Sequence, residues 1–235
     1  MLGDYALQTP TDTLVRKRER SATNDLARLR GARFVVAVEV NEDGKLDEVL
    51  VKQVTGGDKI SARFLYKEFF DFRPECKIFL VTNYKPTIKG SDEGIWRRIR
   101  LIPFEVMIPE EERDKHLLKK LRTELPGILA WAVEGCLAWQ REGLSPPERV
   151  RAATSMYRAE MDWMSAFLAE RCLLGEGAKT SAADLYAAFG LWWSSDDEQP
   201  SQKEFGGRLR ATGLQWFKKS GKRWWAGIAI KSKDH

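Results

Sequence analysis

The sequence predicts an α/β protein: a layered core of alternating strands and helices, then helices, then a small mixed unit at the C-terminal end. Three observations predict it. Residues 34–38 (FVVAV) and 78–81 (IFLV) are short, continuous apolar runs rich in branched side chains, the pattern of buried parallel strands. Around them apolar residues recur at helical spacing, bounded by Gly, Asn and Pro. From residue 176 onward a helix, a basic helix and two aromatic strand runs follow one another.

Each element has its own signal. In residues 45–55 (KLDEVLVKQVT), Leu46, Val49, Leu50 and Val54 fall at helical spacing, and Gly56-Gly57 stops the helix. Residues 60–66 and 69–72 read as a strand pair with Lys67 at its tip. After the strand at 78–81, Thr82-Asn83-Tyr84-Lys85-Pro86 is a turn, and residues 100–104 (RLIPF) are a third strand candidate. Residues 110–142 are helical, with Leu117, Leu118, Leu121 and Leu125 on one face and Ile128, Trp131 and Trp139 on another. Gly143 and Pro146-Pro147 break this pattern, and a second helical stretch runs over 147–174. Gly175-Glu176-Gly177 reads as a linker. Ser181 opens a helix, and Ser201 with Glu204 three residues on forms a capping box for the next. Residues 214–217 and 224–230, around the basic turn 218–223, read as a hairpin. Helix, helix, basic helix and then a basic-tipped hairpin is the layout of a winged helix, a DNA-binding module. The expected organisation is a core over residues 1–142, a helical connector over 143–175 and this small domain over 176–235.

Composition excludes several classes. The chain has 235 residues, 43% hydrophobic and 31% charged, which is neither collagen-like nor wholly disordered. No run approaches ~18 apolar residues, so no membrane span is expected, and the first residues carry no secretory signal pattern. Cys76, Cys136 and Cys172 form no CxxC and no zinc spacing, as expected of reduced thiols in a cytoplasmic protein. The net charge is +5, and it is clustered. Residues 16–33 hold seven bases and two acids, and residues 201–233 hold nine bases and one acid. Two basic clusters point to an anionic partner, DNA in the first place.

Candidate chemistry sits at the strand ends. Glu39 follows the strand at 34–38, and ligands of open α/β sheets bind at carboxyl ends of strands. In nucleotide hydrolases an acid there holds Mg²⁺ or orients the attacking water. Asn83 follows the next strand, where its amide can reach a phosphate or a water. Arg97 and Arg98 are candidates for an arginine finger, and Lys52 and Lys67 for phosphate contacts along a nucleic acid. Lys203, Arg208, Arg210, Lys218, Lys219, Lys222 and Arg223 are the candidate DNA contacts of the C-terminal unit. Taken singly, each has an ordinary reading: a strand-end acid, a turn asparagine, ion-paired arginines, solvated lysines.

Read together, the block GARFVVAVEV…TGGDKISARFLY…CKIFLVTNYKP…DEGIWRRIRLIPF over residues 31–104 closely resembles the superfamily 3 helicase domain of phage and plasmid primase-helicases. Poxvirus-type primase-helicases are more distant relatives. The resemblance extends from about Leu2 to the end, including GL-x-PP-x-x-V at residues 143–150. It implies a partial AAA+-like ATPase core with a helical extension and a C-terminal winged helix. It implies that Glu39 is the Walker B acid and Mg²⁺ ligand, Asn83 the sensor 1 residue, and Arg97 or Arg98 the arginine finger. It implies ATP and Mg²⁺ as cofactors, DNA as partner and a hexameric ring as assembly.

One departure stands out. The resembling domains carry a Walker A loop upstream of the segment matching LGDYALQTPTDTL, and no G-x-x-x-x-G-K-[ST] occurs in this sequence. Gly56-Gly57-Asp58-Lys59 lacks its first glycine, its spacing and its hydroxyl residue. The expectation is a helicase fragment that binds DNA and does not hydrolyse ATP alone, with an upstream chain supplying Walker A and a primase. The alternatives are a non-enzymatic DNA-binding protein and a decayed prophage remnant.

Overall fold

Residues 34–38 form a strand because four of the five are Val or Phe and both faces meet other side chains. The computed structural model describes residues 1–16, 24–39, 44–90, 92–194 and 199–231. The chain separates into two units, Met1–Arg158 and Ala159–His235.

The first unit is built on a three-stranded parallel sheet. Strand β1 (Ala6–Thr9) and strand β2 (Phe34–Val38) lie side by side, with α1 (Asn24–Ala27) between them in the chain. Helix α2 (Glu48–Thr55) and a two-stranded antiparallel ribbon, β3 (Ile60–Ala62) and β4 (Phe70–Phe72), then lead to β5 (Lys77–Val81). The sheet order is β1-β2-β5, with Val35 opposite Leu7 and Ile78, and Ala37 opposite Thr9 and Leu80. Those residues share one face. That side holds the buried cluster of Ala27, Leu29, Val35, Val54, Ile60 and Phe72. Each fully buried aliphatic there contributes on the order of 1.5–3 kcal/mol. The opposite face carries Phe34, Val36, Val38, Phe79 and Val81. Phe34 and Phe79 stack at 4.7 Å, yet Phe79 and Val81 stay 41% and 56% exposed. Parallel sheets are normally covered on both faces, so this one lacks a layer within the chain.

Three short devices hold the remaining loops. Asp47 caps α2 by accepting the Leu50 amide at 3.1 Å. Asp92 does the same for α3 (Glu93–Trp96), accepting from Ile95 at 3.2 Å. The Tyr157 hydroxyl donates to the Pro86 carbonyl, and its ring meets Trp96 edge-on at 5.3 Å. That contact ties α6 (Glu148–Met161) to the sheet's carboxyl side.

Residues 100–104 are not a strand. A run becomes a strand only when a neighbour accepts its ladder, and no described strand lies beside it. Its Leu101 amide instead donates to Thr154 Oγ1 at 3.0 Å. The helical pattern over 110–142 resolves into a 3₁₀ turn, Glu110–Glu112, then α4 (Leu117–Thr123) and α5 (Leu125–Glu142), with Pro126 in the first turn of α5. Neither helix buries a residue, and Trp131 is 73% exposed.

The second unit runs α7 (Trp163–Arg171), β6 (Cys172–Ser181), α8 (Ala182–Trp192), α9 (Gln202–Ala211), β7 (Trp216–Lys219), β8 (Lys222–Ile230). Its antiparallel sheet has the order β6-β8-β7. Met164, Phe167, Leu185, Phe189, Phe205 and Ile228 fill its core. Both expected serine caps form: Ser181 accepts the Asp184 amide at 3.1 Å and Ser201 the Glu204 amide at 3.3 Å. The sequence places a linker at 175–177 and a connector up to 175, but these residues lie inside β6. The two glycines serve a register shift between Leu174 and Lys179, and Gly177 has φ +86°. The division between units falls earlier, at Arg158, and α7 belongs to the second unit. The β7–β8 turn is two residues, Ser220 and Gly221, at φ +50° and +73°, as tight hairpins require.

Candidate functional site

Parallel strands all end on the same side of a sheet, and here three ends bring polar groups together. Thr9 closes β1 and shares a hydrogen bond with Thr13 at 3.1 Å, both buried. The Thr11 hydroxyl donates to the Val38 carbonyl at 2.6 Å, clamping the end of β2. Glu39 follows directly, its amide bonded to the Val81 carbonyl at 2.8 Å and its side chain exposed. Asn83 lies two residues beyond Val81, also exposed, after a Thr82 side-chain turn that accepts the Tyr84 amide at 3.1 Å. The structure therefore places Glu39 and Asn83 at the ends of adjacent strands. Glu39 holds φ +66°, a conformation costly for a non-glycine residue. Glu42 lies outside the described residues, as do residues 17–23 of the first basic cluster.

Behind this edge sits a block of fixed charges that joins α2 to α3. Glu48 is buried and accepts the amides of Lys89 and Gly90, each at 2.8 Å. A Cβ at residue 90 would overlap that carboxylate, so a larger residue there would have to push Glu48 off its two amides. Lys52 Nζ donates to both oxygens of Asp92, at 2.9 and 2.8 Å. This hydrogen bond is the main cause holding the Asp92 carboxyl below the usual carboxylate range. The Arg98 guanidinium donates to Thr55 Oγ1 at 3.0 Å and to the Gly94 carbonyl at 2.6 Å. Arg97, by contrast, is exposed, and its guanidinium has no hydrogen bond or ion pair among the described residues. The two neighbouring arginines are not equivalent: one is spent on structure, the other is displayed. Lys67 is exposed in the β3–β4 connection beside Tyr66, which has φ +60°.

In the second unit the candidate cations also separate. Arg208 packs its guanidinium over the Trp163 ring at 4.9 Å and is half-buried. Lys203 and Arg210 are exposed on α9. Lys218, Lys219, Lys222 and Arg223 crowd the β7–β8 tip, where Arg223 stacks over Trp216 at 4.4 Å. Sequence reasoning missed Glu48, Asp92 and Thr154, whose ion-pair or hydrogen-bond partners lie forty or more residues away. Only Asp92, as a cap before an apolar turn, carries a local signal.

Mg²⁺ bound with a nucleotide takes one or two carboxylates plus phosphate oxygens. This edge offers Glu39 alone, and the described residues hold no cluster of three acidic, His or Cys groups. With no phosphate-cradling loop sequence in the chain, these residues do not make a complete Mg²⁺–nucleotide site. Among the described residues no helix is long and apolar enough to cross a membrane.

No protein-family profile matches the chain. Curated relatives do, and several carry the name "Putative helicase", three of which match over most of the chain. These are 022R of Frog virus 3 (isolate Goorha), L207/L206 of Acanthamoeba polyphaga mimivirus and 121R of Invertebrate iridescent virus 3. They are 31%, 32% and 29% identical over 217, 216 and 228 residues respectively. The alignments cover 83%, 83% and 82% of this chain but 22%, 22% and 24% of the relatives. The chain thus spans about a fifth to a quarter of the length of the relatives it matches. Along most of its own length it is related to proteins named helicases of large DNA viruses.

Proposed function

We propose that this chain is the C-terminal part of an ATP-driven, superfamily 3-type replicative helicase of the primase-helicase kind, binding DNA but not turning over ATP alone. The observation that carries the reading is the pair Glu39 and Asn83 at the carboxyl ends of adjacent parallel strands, in a chain with no phosphate-cradling loop sequence. In the assembled enzyme Glu39 orients the attacking water and Asn83 reads the terminal phosphate. Arg97, displayed and unpaired, reaches a neighbouring subunit's nucleotide, while Arg98 holds α3 against α2.

The phosphate loop comes from polypeptide outside this chain. Supporting this, among the described residues β5 has no partner on its outer edge, and Phe79 and Val81 on one face of the sheet stay exposed. On this reading DNA is held by the second unit as a winged helix, which its order of helix, strand, two helices and basic hairpin supports.

The test is ATP hydrolysis by the purified chain with Mg²⁺, with and without single-stranded DNA, beside Glu39→Gln. No turnover is expected, together with DNA binding that weakens steeply with salt. Turnover abolished by Glu39→Gln would overturn the incomplete-site reading. Absent or salt-insensitive DNA binding would overturn the DNA reading.

A further inference from the structure

The β7–β8 hairpin has two faces, and they differ. In an antiparallel pair, residues directly opposite share a face. Trp216 lies opposite Trp225 and faces the core, where Trp225 is buried. Phe217 lies opposite Trp224 on the other face, and neither belongs to the buried cluster of the unit. The same outer face carries Lys219 opposite Lys222 at the tip and Lys179 opposite Ala226 on the adjoining strand. Two aromatic rings are thus framed by three exposed lysines. Phe217 is 36% exposed, and the Trp224 indole N–H is buried with no acceptor. No Asp or Glu occurs from residue 205 to the end of β8.

A half-exposed aromatic pair outside the buried cluster, ringed by one sign of charge, fits an anionic polymer with flat apolar rings. We propose that the outer face of this hairpin is a stacking platform for single-stranded DNA. One base stacks on Phe217 beside Trp224, and the flanking phosphates lie on Lys219, Lys222 and Lys179. This rests on the reading that the second unit binds DNA, and refines it. A duplex keeps its bases stacked on one another and offers Phe217 no ring. Helix α9, the element a groove would receive, displays only Lys203 and Arg210, because Arg208 is packed on Trp163.

The experiment is fluorescence anisotropy of the whole chain with an oligothymidylate of about 16 nucleotides and with a duplex of equal length. Phe217→Ala should weaken oligothymidylate binding about tenfold, Phe217→Tyr should keep it within about twofold, and neither should move duplex binding beyond about twofold. Lys219→Glu with Lys222→Glu should also weaken the oligothymidylate complex about tenfold or more and flatten its salt dependence. If Phe217→Ala leaves oligothymidylate binding unchanged, or weakens both polymers equally, the platform is overturned while DNA binding by the chain stands. If the wild-type chain binds neither polymer at low salt, the DNA reading falls, and the platform with it. Phe217→Tyr keeps the ring opposite Trp224, so its thermal unfolding should match wild type, and Phe217→Ala is compared with it at a temperature where both are folded.

Discussion

Two arginines adjacent in sequence illustrate how much a residue's surroundings decide. Arg98→Ala removes hydrogen bonds to Thr55 Oγ1 and the Gly94 carbonyl, and should cost about 1–2 kcal/mol in urea unfolding. Arg97→Ala should stay within about 0.5 kcal/mol, since its side chain is exposed and makes no hydrogen bond or ion pair among the described residues. Glu48→Ala strands two buried amides and should cost about 2–3 kcal/mol, whereas Glu48→Gln, which keeps an acceptor, should lose less. Asp92 has a folded carboxyl pKa held below its unfolded value. Its contribution is therefore complete above about pH 4 and is lost as pH falls through the folded value. The pair is largely exposed, so the effect is small, well under about 1 kcal/mol. Asp92→Asn should flatten that part of the stability–pH curve, and an unchanged curve would show that Lys52 does not hold Asp92. Thiol chemistry offers a further check. Cys172 is buried and its thiol is pushed up to about 11, Cys76 is buried and shifted the same way, and Cys136 is exposed. Alkylation at pH 8 should modify Cys136 quickly in the folded chain, and Cys76 and Cys172 only after denaturation.

At the scale of elements, the outcome depended on whether the needed information was local. The strands at 34–38 and 78–81 were legible because each is an unbroken apolar run rich in branched residues, although only the Val35 side of the sheet is packed and Phe79 and Val81 stay exposed. The serine caps were legible because they are written in three or four consecutive residues, whereas the hairpin was legible only in outline: its turn is Ser220-Gly221, and the rest of the expected turn at 218–223 is paired strand. Residues 100–104 have equal strand character but find no partner, and pairing is not encoded in one segment. The glycines at 175 and 177 carry a turn signal that the structure uses for a bulge inside β6. Strand β1 (ALQT) was too short and mixed to signal itself. For the candidate site, positions 39 and 83 were readable from strand ends, while the buried Glu48 anchor and the separate fates of Arg97 and Arg98 needed the fold. The hairpin turn also yields a prediction. Ser220 at φ +50° precedes a glycine, so Ser220→Asn should stabilise the chain by about 0.5 kcal/mol, read as a raised thermal midpoint.

At the scale of the whole molecule, each unit has its own buried cluster. The first also displays apolar surface on the sheet, on α4 and α5, and along residues 102–108, where Phe104 is 94% exposed. Monomeric proteins rarely show so much contiguous apolar surface without a use for it. The isolated chain should bind a hydrophobic dye and self-associate with rising concentration. Trp131→Lys together with Phe104→Glu should reduce both without lowering the thermal midpoint, because neither side chain is packed. A lowered midpoint would mean that these residues stabilise the chain itself.

The left-handed backbone at Glu39 has a consequence of its own. Glycine accepts φ +66° freely, so Glu39→Gly should make the chain more heat-tolerant by about 0.5–1 kcal/mol while deleting the carboxylate at the strand end. Robustness and usefulness therefore pull this single position in opposite directions. A library randomised at residue 39 and sorted for survival on heating should enrich glycine. Under the proposed function, the same library placed in the assembled enzyme and sorted for ATP-driven activity should discard it.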